Sequence, residues 1–133
     1  MEFSTTYGYT KKLKGVGYEA AKEKVTDALK TEGFGVLTEI DVKATLKKKI
    51  DVDFRPYSIL GACNPKLAHQ ALSAELPIGL LLPCNVVVTE DDDGDAIVSL
   101  VNPKEMFKVV SNPALGDIAG GVDAKLKRVL DAL

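Results

Sequence analysis

Tryptophan is absent from this 133-residue chain, histidine occurs once, at His69, and cysteine twice, at Cys63 and Cys84. A lone histidine whose direction is unknown supports no Ser-His-Asp or Cys-His-Asn set, and no carboxylate pair stands apart from the surface acids. No window reaches the roughly 18 apolar residues of a membrane span, and "MEFSTTYGYT" has neither the basic start nor the apolar run of a secretory signal. Charge of one sign is lacking too. Seventeen Lys and Arg against nineteen Asp and Glu leave a net charge of −2. Such a chain has no broad positive field, so neither nucleic acid nor an anionic membrane is expected as a partner. A cytoplasmic protein is expected, and in a reducing compartment its cysteines are free thiols rather than a structural disulfide.

What is present is the make-up of an ordinary soluble globule, 46% apolar and 27% charged. The length suits one domain spanning residues 1–133. Tyr7 to Leu13 reads as a strand. Tyr18, Ala21, Val25, Ala28 and Leu29 recur at helical spacing, and Gly33 follows as a left-handed cap with Phe34 as its packing residue. Val36 to Ile40 is a second strand, Val42 to Ile50 a short helix whose lysines face water, and Phe54 to Gly61 a third strand. In "CNP", Asn64 is placed to cap a helix that Pro65 begins. Leu67, Ala68, Ala71, Leu72 and Leu76 share one face of it, with His69 and Gln70 toward the other. Leu80 to Glu90 and Ala96 to Asn102 form a hairpin joined by "EDDDGD". Leu115, Ile118, Val122, Leu126, Val129 and Leu133 trace a long closing helix.

The element order is strand, helix, four strands and helix, with short helices in the connections. It describes an α+β fold, an antiparallel or mixed sheet with helices mainly on one face. Both faces of the hairpin are apolar, since Leu81, Pro83, Val87, Ile97 and Val101 oppose Leu80, Leu82, Cys84, Val86, Val88, Val98 and Leu100. A partner subunit or a ligand is therefore expected on the second face.

Two motif matches do not stand. "GVGYEA" fits G-x-G-x-x-A, yet the preceding "YGYTKKLK" is too rich in lysine for a buried Rossmann strand. "TEDDDGDA" resembles a calcium loop, but aligning Gly94 with the required glycine puts Leu100 where the bidentate glutamate belongs. A solvated turn explains it better.

The two Cys-Asn pairs, Cys63-Asn64 and Cys84-Asn85, mark the candidate site. Cys84 lies on the apolar face of its strand and reads as a small buried hydrophobe. Cys63 comes one residue before a helix N-cap, where the helix dipole favours thiolate. Cys63, Cys84 and His69 would offer soft ligands to zinc or copper(I), but their spacing matches no recognised set, and no metal or cofactor is assigned.

"EGFGVLTEIDV", "LKKKI", "YSILGACNPKLAHQAL" and "IGLLLPCNVVV", followed by the acidic hairpin, resemble the small bacterial and archaeal family called domain of unknown function 302. The resemblance runs from about Tyr7 to the last helix and is most specific at "ACNPKLA" and "LLPCNVVV". It implies a single α+β domain, a four- to five-stranded antiparallel sheet with two main helices on one side, often a homodimer, and no settled activity. The motif residues Cys63, Asn64, Pro65, Pro83 and Cys84, with Asn85 and His69 beside them, are the candidate positions for a ligand or reactive site. Two functions are expected from this reading: a homodimeric binding or interaction module for a small molecule, without catalysis, or a thiol-dependent redox or soft-metal protein using Cys63 and Cys84.

Overall fold

The structure, a computed structural model, describes residues 3–133. Met1 and Glu2, which open the segment read as lacking a secretory signal, lie outside the described residues. Five strands, β1 (Gly8–Leu13), β2 (Gly35–Asp41), β3 (Tyr57–Cys63), β4 (Cys84–Glu90) and β5 (Ala96–Val101), form one sheet in the order β1-β5-β4-β3-β2. Every neighbouring pair is antiparallel. The helices are α1 (Tyr18–Thr31), α2 (Val42–Ile50), α3 (Pro65–Ala74), α4 (Pro103–Met106) and α5 (Ala114–Asp131), with 3-10 turns at Leu76–Leu81 and Phe107–Val109. The α+β order read from the sequence is present. Among the described residues no helix is long and apolar enough to cross a membrane.

Helix α1 ends as its glycine requires. Gly33 has φ +81°, and Phe34 N donates back to Leu29 O at 3.0 Å, the closing bond of a left-handed cap. The register aligns Tyr9, Leu100, Val86 and Leu60 across four strands, and α1 and α5 pack on this face through Ala21, Val25, Leu29, Val122, Leu126 and Val129. Each fully buried leucine or valine there contributes about 1.5–3 kcal/mol by leaving water. A second, smaller cluster of Ala71, Ile78, Phe107, Leu115 and Ala119 lies beside the first.

The structure corrects three sequence readings. The strand expected over Leu80 to Glu90 begins only at Cys84, and the leucine run before it forms a 3-10 turn followed by a cis Leu82-Pro83 peptide. Pro83 has no N–H for a ladder, so the apolar run could not continue as a paired strand, and Leu80 stands 88% exposed. The third strand is shifted from Phe54–Gly61 to Tyr57–Cys63 because Pro56 likewise cannot donate. Leu76, placed on the apolar face of α3, falls beyond its end and is 81% exposed.

The second sheet face carries buried and half-buried residues. Ile97 and Thr89 are buried there, partly by the chain's own connections. Thr89 Oγ1 donates to Pro56 O at 2.8 Å, and Thr10 Oγ1 to Phe3 O at 3.1 Å. Val87, Val101 and Tyr57 remain half-buried. The motif that hinted at a dinucleotide fold is only a helix start: Gly17 is the N-cap of α1, and Glu39 pairs with Lys22 at 2.8 Å. In the acidic turn, Asp91 Oδ1 accepts from Asp93 N and Asp95 N, each at 3.0 Å, while Lys12 pairs with Asp91 at 2.8 Å.

A buried charge ties β1 to α5. The Tyr9 hydroxyl donates to the Asp123 carboxylate, which also meets Lys127 at 3.1 Å and Lys104 at 3.6 Å. Burial pushes the Asp123 carboxyl up, but the Tyr9 bond and the lysine charges outweigh it and hold the group below its usual range. A carboxyl lowered on folding stabilises above its unfolded pKa of about 3.9 and loses that contribution as pH falls through its folded value. Asp123→Asn is expected to cost about 2 kcal/mol at pH 7, and the gap from wild type should narrow as pH falls below ~4 and close once pH passes the lowered folded value. Urea denaturation at both pH values checks this; a gap that persists in acid contradicts it.

Candidate functional site

Helix α3 starts where β3 stops, and Asn64 joins them. Its Oδ1 accepts from Leu67 N at 3.2 Å, while its Nδ2 donates to Glu32 O at 3.3 Å at the end of α1. Gly33 lies so close that an added Cβ would sit 3.0 Å from this Nδ2. The Asn64 amide is therefore committed to joining two helix ends. On the strand side Gly61 leaves room for Thr38 and Pro83, both of which an added Cβ would strike.

This join leaves a cavity of about 360 Å³ at the seam between the two hydrophobic clusters. Phe34, Ala62 and Val122 contribute from the larger cluster, Ala71 and Phe107 from the smaller. Leu67, Ala68 and Leu72 border it from α3, and Leu82 and Pro83 from the segment before β4. Exposed Leu37, Leu72 and Gly79 mark its mouth. The volume lies toward the lower end of the roughly 300–1,000 Å³ range of small-molecule sites.

Four sequence candidates meet at this cavity: Cys63, Asn64, Pro83 and Cys84. Pro65 and His69 are exposed and do not border it, and Asn85 is exposed beside Tyr7, Tyr57 and Val87 in a shallow groove on the opposite sheet face. Cys63, Cys84 and His69 are thus not brought together as three ligands. Among the described residues no three His, Cys, Asp or Glu side chains gather as a metal site. Both cysteines are free. Burial pushes the Cys84 thiol up to about 11, and the neighbouring charge of Cys63 adds to the effect.

The wall is almost wholly apolar, and with the amide of Asn64 committed its remaining polar side chains are the two thiols and Thr38. Such a wall can hold an apolar body and expose it to sulfur; it offers no acid-base pair. The α3 face of Leu67, Ala68, Ala71 and Leu72 was legible from helical spacing. Phe107 was not, because nothing local in "KEMFKVV" distinguishes a buried phenylalanine from a connection residue.

The family model described as "Domain of unknown function DUF302" matches residues 9–133. An "Uncharacterized protein" of Aquifex aeolicus (strain VF5) is 27% identical over 100 residues, which are 75% of this chain and 63% of that protein, so the match spans less than two thirds of the relative. A solved structure, described as "Crystal structure of uncharacterized conserved protein DUF302 from Bacillus stearothermophilus", is 32% identical and superposes with a TM-score of 0.87, covering 96% of this chain and 98% of that one. A family match from β1 to the end of α5, joined to the same fold in that crystal structure, makes this chain a member of the DUF302 family.

Proposed function

We propose that this protein is a non-catalytic binding module that takes a small apolar molecule into the cavity between its two hydrophobic clusters. The observation that carries the reading is the apolar wall, bordered by two adjacent candidate pairs, Cys63-Asn64 and Pro83-Cys84, brought together from separate parts of the sequence. A ligand with several hydrogen-bonding groups would lose them to this wall unpaired, at a cost of about 1–3 kcal/mol each. The free thiols fit a reducing compartment such as the cytoplasm. A homodimer is proposed through the open sheet face, where Val87, Val101 and Tyr57 stay half-buried. A second reading, thiol chemistry at Cys63, is supported by its place at the cavity wall directly before α3.

Titration with the neutral apolar fluorophore N-phenyl-1-naphthylamine should show one site per chain. Ala68→Phe, which fills the cavity, should weaken it at least about tenfold, equivalent to 1.4 kcal/mol, with the melting temperature little changed. Unaltered affinity in that variant would remove the cavity as the site.

Sedimentation at micromolar concentration should give a dimer burying at least roughly 1,000 Å² in total, and Val87→Arg should shift it to monomer. A wild-type monomer contradicts the proposed face.

Iodoacetamide labelling of native protein, read by peptide mass spectrometry, should modify Cys63 first. Cys84 should label readily only as pH approaches its raised value of about 11. Equal rates, or faster labelling of Cys84, would return both cysteines to a packing role.

A further inference from the structure

We infer that the cavity captures apolar electrophiles covalently, holding an α,β-unsaturated ketone or aldehyde by its hydrocarbon body and adding its β-carbon to the sulfur of Cys63. This rests on the apolar cavity being a binding site, and it names the class of molecule held there. At about 360 Å³ the cavity is more than twice the roughly 150 Å³ that accommodates one benzene, which leaves room for a ring and a short conjugated side chain. The wall then limits the polar groups such a body can carry. Cys84 is 7% exposed, lies in that wall and has no hydrogen-bond partner among the described residues, and burial keeps it a neutral thiol by pushing its pKa up to about 11. A thiol offers one weak hydrogen bond, enough for a lone carbonyl oxygen but not for a ligand with several polar groups.

Cys63 supplies the nucleophile. It is free, half-buried and borders the same cavity, and the reacting form of a cysteine is its thiolate. The wall carries no acid-base pair, so it has no means to activate an ester or amide carbon or to protonate a leaving group. Conjugate addition needs neither. The sulfur–carbon bond forms at the β-carbon, the electrons of the C=C double bond shift toward the carbonyl, and the resulting enolate takes a proton from water at its α-carbon. Thiol and enone combine into one thioether, with no leaving group and no outside oxidant or reductant. The two sulfurs have no need to meet. Cys84 faces the helices with its ladder partner Ala62, while Cys63 projects from the other face at the rim of the sheet, and a molecule lying in the cavity around that rim touches each at a different point.

The test treats reduced native protein with 4-phenyl-3-buten-2-one and, separately, with methyl vinyl ketone, which is the same electrophile without the ring. Intact mass and peptide mapping follow the adducts. One phenyl enone should add per chain, at Cys63. Because the cavity holds the ring beside the sulfur, the rate ratio of the phenyl enone to methyl vinyl ketone at Cys63 should exceed the same ratio for free glutathione at least about tenfold. Saturating N-phenyl-1-naphthylamine should suppress the addition in the unsubstituted protein, and Ala68→Phe, shown to be folded by its melting curve, should slow the phenyl enone more than methyl vinyl ketone. A ratio no higher than that of glutathione, addition at Cys84, or addition indifferent to the fluorophore overturns the inference. If the fluorophore binds and the ratio matches glutathione, covalent capture falls while the cavity reading stands; if neither the fluorophore nor the phenyl enone is held, both fall.

Discussion

The packing of α1 and α5 against the Leu60, Val86 and Leu100 row is the interaction on which the rest of the molecule depends. These two long helices cover one face of the sheet, but at the rim, where Ala62 pairs with Cys84, α3 and the 3-10 turn after it share the cover. A ten-residue helix of alanines and leucines, carrying its own small cluster around Ile78 and Phe107, does not merge fully with the main core. The seam between the clusters is the cavity. Its apolar character follows directly, because both of its sides are hydrophobic surfaces that fail to meet.

Asn64 shows how a few polar atoms set that geometry. By capping α3 and binding the carbonyl of Glu32, it fixes where α3 leaves the sheet relative to the end of α1. Glu32 in turn pairs with Arg128 of α5 at 2.8 Å, so three helices are referenced to one another through Asn64 and Glu32. The Asp123 and Tyr9 pair does the same at the far side of the sheet, holding α5 to the edge strand β1.

Much of this was legible because local chemistry and long-range packing agree. Gly33 and Phe34 ending α1, Asn64 and Pro65 starting α3, and the Leu67 to Leu72 face all read correctly from spacing and capping alone. The errors share one cause. In "LPIGLLLP", apolar content signals burial without saying whether the backbone is paired, and the prolines at 77 and 83 withdraw the donors a strand would need. Asp123 was hidden for the opposite reason: its burial depends on Tyr9, 114 residues away, and nothing local announces that partner. The same limit applied to the cysteines. Sequence placed Cys63 directly before the cap of α3 but read Cys84 as interior to a strand that in fact begins with it, and that both border one cavity while His69 does not is a matter of tertiary packing.

The account's central claim is that the seam holds an apolar molecule. Native mass spectrometry of protein purified without denaturant tests it most directly, by comparing the intact mass before and after gentle activation in the gas phase. The account predicts a bound neutral species, poor in hydrogen-bonding groups, that is released on activation and is missing from protein carrying Ala68→Phe. A bare chain mass from freshly isolated protein, together with no uptake of small apolar compounds added afterwards, would contradict it.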